Sequence, residues 1–110
     1  MSTVRSTSEF VNTWPATSNT TTFPAPAGIQ DNDILVIFIT LGDGFDSVTC
    51  DTPTGFTRVT EIDSIGFLES AYYLKTWCFY KVASSESGNY TLTHLEAVNG
   101  GIMYAISRGS

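Results

Sequence analysis

His94, Cys50, Cys78 and eleven carboxylates are the side chains through which this chain could do chemistry. His94 is the one histidine. Tyr90, Leu92 and His94 alternate with Thr91 and Thr93, which puts it inside a β-strand. A catalytic triad needs a nucleophile and an orienting acid beside the imidazole, and no serine or cysteine spacing supplies them. The plainer role is a strand histidine facing solvent or a hydrogen-bond partner. Cys50 and Cys78 have no CxxC or Cys/His spacing that suggests zinc. Two readings stay open for them: small buried hydrophobes, or a disulfide between strands that a sandwich brings together.

The carboxylates are no more suggestive. Asp31, Asp33, Asp43 and Asp46 lie in predicted loops flanking one strand, and calcium favours such oxygen-rich loops. The intervening strand spans ~26 Å, so the two pairs cannot share an ion. Turn chemistry, in which aspartate bonds nearby backbone, accounts for them. Glu61, Asp63, Glu69 and Glu86 are scattered, with no reason to pair as glycosidase acid and nucleophile. Trp14, Phe45, Phe67, Tyr72, Tyr73 and Trp77 could form a sugar-stacking platform, although aromatics in β-proteins more often fill cores and interfaces. Asn19-Thr20-Thr21 and Asn89-Tyr90-Thr91 are formal glycosylation sequons, expected by chance in a threonine-rich chain. No catalytic residue, metal or cofactor is expected.

Composition narrows the partners. A chain of 110 residues is one domain, long enough for a core without metal or disulfide staples. The net charge is −6, and Arg5, Arg58, Lys75, Lys81 and Arg108 do not cluster, so no basic face exists to neutralise phosphates. Nucleic acid is therefore not an expected partner. The longest apolar run, Ile34 to Ile39, is too short to span a bilayer, and no membrane partner is expected. Ser2 to Ser8 is polar, without the apolar core of a secretory signal. Only 15% of residues are charged, a low value that predicts a surface partly covered by another protein.

Threonine, serine, β-branched residues and aromatics dominate, and helical stripes are absent, which favours strands. Residues 1–19 are read as an N-terminal strand or arm, and 20–110 as a β-sandwich domain. Val4, Phe10 and Trp14 share one parity and are the candidate interaction residues. They serve either strand addition to another subunit or an ordinary first strand. Thr20 to Phe23 is a short strand. Ile34 to Leu41 is apolar on both parities, as expected of a central strand covered on both faces. Ser47 to Asp51 and Phe56 to Ile62 are further strands, Asp63 to Ser70 a loop, and Ala71 to Ala83 the longest strand. Asn99-Gly100-Gly101 signals a hairpin between strands at Tyr90 to His94 and Ile102 to Ile106. Seven to eight short strands predict an all-β, antiparallel sandwich of jelly-roll or Ig-like type. Its expected core is Ile34, Val36, Ile37, Phe38, Ile39, Leu74, Cys78, Tyr80, Val82, Leu92 and Ile102.

Three segments carry a resemblance. They are Phe23 to Phe38, with Pro26-Ala27-Gly28 and Asn32-Asp33-Ile34-Leu35; Thr52 to Val59, with Pro53-Thr54-Gly55-Phe56; and Phe79-Tyr80-Lys81-Val82-Ala83 followed by Asn89-Tyr90-Thr91-Leu92-Thr93. Together they resemble a β-sandwich module of tailed-phage virion proteins. Asn32 stands where that pattern favours glycine, Phe56 where tryptophan is frequent, and Ser107-Arg108-Gly109 is similar to its usual ending. The resemblance implies a non-enzymatic virion protein, most like a capsid decoration (cement) protein that binds and stabilises the outer shell. Implied partners are the major capsid protein and further copies of itself, as trimer or dimer, with assembly in the host cytoplasm. A tail or fibre component, or a carbohydrate-binding surface module, is the alternative.

Overall fold

The computed structural model describes residues 3–11, 18–43, 49–67 and 72–107. Their regular elements are all strands: β1 (Thr3–Val11), β2 (Ser18–Phe23), β3 (Ile34–Asp43), β4 (Thr57–Phe67), β5 (Tyr72–Val82) and β6 (Tyr90–Ser107). Every pairing is antiparallel. Five strands in the order β1-β6-β3-β5-β4 form the main sheet. The sixth, β2, runs along the first half of β6 from Phe23↔Tyr90 to Ser18↔Ala97 and makes a ribbon. The second half of β6 lies between β1 and β3. One strand thus belongs to both layers of a sandwich-like, all-β fold.

The strand list departs from the sequence expectation in three places. Asn99-Gly100-Gly101 does not turn; β6 runs through it for 18 residues. The reason is a close approach. A Cβ on Gly101 would sit against the Phe38 carbonyl and 2.8 Å from Phe23 Cζ, so only glycine lets β6 cross between ribbon and sheet here. Asp63 to Phe67 is strand, not loop, because it continues β4 against β5 past an irregularity between Ser64 and Phe67. The strand expected at Ser47 to Asp51 is reduced, in its described part, to a single bridge between Cys50 and His94. The described residues hold six strands, with β6 counted in both a five-stranded sheet and a two-stranded ribbon.

The core is one-sided. Odd positions of β3 (Leu35, Ile37, Ile39 and Leu41) point inward and are fully buried. Trp77 and Phe79 of β5 and Met103 and Ala105 of β6 join them on the same face. Phe23 of β2 and Leu92 of the ribbon half of β6 close over this face, with Cys50 and Phe56 from the connections. Even positions point away. Phe38 and Tyr80 are each 41% exposed and Val82 43%, while Ile34, Val36 and Ile102 are half-buried.

This corrects the expected core. Ile37, Ile39, Cys78 and Leu92 are buried, but Phe38, Tyr80, Val82, Ile34, Val36 and Ile102 belong to the opposite face; Leu74 carries no described side chain. Leu35, left out of the expectation, is fully buried. The apolar residues on both parities of β3 suggested cover on both sides, yet the ribbon covers only one.

The face assignment predicts unequal costs along β3. Ile37→Ala opens a cavity in the core and should cost ~2–5 kcal/mol. Phe38→Ala removes a half-exposed ring and should cost the monomer about 1–1.5 kcal/mol. Chemical denaturation of both variants in dilute solution checks the order; equal losses would place Phe38 in the core.

Candidate interaction surface

His94, Cys50, Asp33 and Glu86 are each held in a structural pairing. His94 is 5% exposed beneath the ribbon, and its Nε2 lies 2.8 Å from Oγ1 of the fully buried Thr21. This is the hydrogen-bond partner foreseen for it. Cys50 pairs with His94 across the strand, and its Sγ donates to the Asp51 carbonyl at 3.6 Å. Burial, aided by the Asp51 charge, pushes the Cys50 thiol up to about 12, so it is not a thiolate nucleophile. Burial also raises Cys78. Cys50 packs in the core, whereas Cys78 sits opposite Phe38 on the outward register. The two are free thiols separated by the sheet itself, and the disulfide alternative falls.

Asp33 is the anchor of the turn into β3. Its carboxylate accepts Arg5 Nε at 2.7 Å, Arg5 Nη2 at 3.1 Å and the Gln30 N–H at 3.0 Å. Its backbone carbonyl accepts the Ala83 N–H at 2.8 Å, and the Ala83 carbonyl accepts the Asn32 N–H at 2.9 Å. The turn thereby ties β1, β3 and the end of β5 together. Asn32 has φ +75°, a left-handed conformation open to asparagine and glycine, which explains this residue at that position. Asp31 caps the neighbouring loop by accepting the Ser85 N–H at 2.8 Å. Asp43 and Asp46 have no described side chains. No group of three His, Cys, Asp or Glu side chains among the described residues is placed to hold a metal ion.

Glu86 makes a third cluster. Its carboxylate accepts the Ser84 N–H at 2.9 Å and the Tyr90 hydroxyl at 2.9 Å, and pairs with Lys81 Nζ at 3.0 Å. Burial alone would raise its pKa, but these donors together hold it below the ordinary value. Burial, and then the bond to Glu86, drives the Tyr90 phenol upward. Beside this cluster lies an open cleft of about 230 Å³, lined by Ala25, Pro26, Ile29 and Gly88 as well. Glu86 and Tyr90 already satisfy each other there.

The unexplained feature is the outward face of the main sheet. Register places Ile34, Val36, Phe38 and Thr40 of β3 beside Val82, Tyr80, Cys78 and Thr76 of β5. On the other side they meet Ile106, Tyr104, Ile102 and Gly100 of β6. Phe38 and Tyr104 rings meet edge-on at 6.3 Å, and Thr40 and Thr76 hydroxyls bond at 2.9 Å. Among the described side chains, no charged residue occupies an outward position on β3, β5 or the half of β6 that pairs with β3. The flanking strands bring Thr7 on one side and Thr57 on the other. Single exposed hydrophobes are ordinary; a contiguous apolar face is not.

Of the residues expected to interact, Val4 lies opposite Ile106 at the margin of this face, 56% exposed. Phe10 pairs with Gly101 and carries no described side chain, and Trp14 lies outside the described residues. β1 pairs with β6 of its own chain, the ordinary-first-strand alternative. Of the aromatics considered for sugar stacking, Trp77 is buried in the core at 1% exposure and cannot stack on a ligand. The outward face itself was missed, although its signal was present: the even positions of β3, of β5 and of residues 100–106 in β6 are uncharged. No protein-family model, curated protein or solved structure matches this chain.

Two outcomes follow from the buried groups. Arg5, then the Gln30 N–H, holds the Asp33 carboxyl below its ordinary 3.8. A depressed carboxylate stabilises the fold above its ordinary value and loses that stabilisation as pH falls through the folded value. Asp33→Asn should therefore melt below wild type at neutral pH, and the gap should close on acidification below 3.8. A gap independent of pH would mean that the charge is irrelevant. For the cysteines, thiol titration in denaturant should find two free groups per chain, with Cys50 silent in the native protein at mildly alkaline pH.

Proposed function

We propose that this chain is a non-enzymatic structural protein of a phage virion, a decoration protein that binds and stabilises the outer shell. The outward sheet face carries the reading: it is broad, apolar and uncharged on its three central strands in a chain of net charge −6. Such a face suits a protein that works inside an assembly and has little use for a substrate. The module resemblance over Phe23 to Phe38, Thr52 to Val59 and Phe79 to Thr93 is the support for a virion as that assembly. The mechanism is mass action: a protein that binds only the assembled shell stabilises it, and many repeated contacts add through multivalency. The major capsid protein is the proposed partner, alongside further copies of this chain.

Purified virions from the source should contain the protein in many copies spread over the shell, by mass spectrometry and immuno-electron microscopy. Particles stripped of it should release their genome at lower temperature, and adding it back should restore them. A few copies at one vertex or along the tail would identify a tail component instead. Presence in the lysate but never in purified particles would end the virion reading.

A further inference from the structure

We propose that the occupant of the outward sheet face is a second copy of this chain, packed sheet against sheet about a two-fold axis. Three observations select that occupant. The first is area. Five strands ~4.8 Å apart and ten residues at ~3.3 Å each give a face of roughly 24 × 33 Å, about 800 Å². A standard stable interface needs about 800 Å² from each partner, so two such faces suffice.

The second is charge. Two copies of a chain of net charge −6 repel unless they meet where charge is absent. Arg5 and Asp33 satisfy each other off this face, and Lys81 and Glu86 do the same. β3, β5 and the sheet half of β6 place no charge on the outward register. The layout is an apolar centre of Val36, Phe38, Tyr80 and Tyr104 with a threonine-rich rim, which is how a protein interface is organised. A self-complementary patch of this kind closes as an isologous dimer.

The third is the state of the edges. Pairing breaks register between Val4 and Ser6 on β1 and between Arg58 and Thr60 on β4. Bulges on edge strands oppose strand addition. Association through an edge is thus discouraged on both sides, and the face is what remains. Aligned sheets ~10 Å apart would interleave the Phe38, Tyr80 and Tyr104 rings of the two copies. The dimer stands independently of the virion reading; if both hold, it is a bivalent bridge whose remaining surfaces meet neighbouring shell subunits.

Sedimentation of the full chain in the micromolar range tests this directly. Wild type should show twice the 11.9 kDa chain mass. Phe38→Asp and Tyr80→Lys, each placing a charge at a position 41% exposed, should weaken the dimer roughly 100-fold while circular dichroism stays native. Val4→Lys, at the margin, should weaken it less and serves if a central variant unfolds. A wild type of monomer mass overturns the proposal and leaves the face to the shell protein. A dimer unmoved by all three variants overturns it as well. Neither result bears on whether the protein is found on virions, which the particle experiment decides.

Discussion

Gly101 is the point on which this architecture turns. A two-layer fold built from so few strands needs one strand to serve both layers, and β6 does so without a break. At the crossing its backbone lies against Phe38 and Ile39 of β3, with the Phe23 ring above. A side chain there would force the layers apart and open the core that Phe23, Ile39 and Met103 close. Stability, the sharing of β6 and the placement of the ribbon over only one face of the sheet all follow from this one close approach.

A one-sided core divides the side chains cleanly. Groups that could react are drawn inward or into turns, where they are spent on holding strands together: His94 on Thr21, Asp33 on Arg5, Glu86 on Lys81 and Tyr90. The three central strands of the other face carry mainly apolar side chains, with Cys78 buried among them.

Much of the fold was legible because strand parity is a local property. The all-β antiparallel class and the turns at Gly28 to Asp33 and Thr52 to Gly55 follow from neighbours in sequence. What stayed hidden depends on contacts between distant residues. Apolar residues on both parities of Ile34 to Leu41 cannot say whether the second face is covered by this chain, by another, or by none. Asn99-Gly100-Gly101 has the composition of a turn, and only the approach of Phe23 and Phe38 shows why glycine is needed in a straight strand. Asp33 read as a residue bonding its own backbone, which it does at Gln30, but its partner Arg5 lies 28 positions away. Asn32 was legible as an oddity, and its left-handed backbone makes it intelligible.

The sharing of β6 also governs the order in which the chain can assemble. In the finished sheet β1 and β2 have β6 as their only strand partner among the described residues, and β6 comes after both in sequence. A chain emerging from the ribosome can pair β3 and β4 on either side of β5, while β1 and β2 wait unpaired for residues 90–107. Long-range pairing of this kind is slow, because loop closure must precede its reward. During that wait the apolar residues of β3 are uncovered on both sides, which is when a β-protein is most open to aggregation. Synthesis of β6 is therefore the event that both completes the core and ends the vulnerable period.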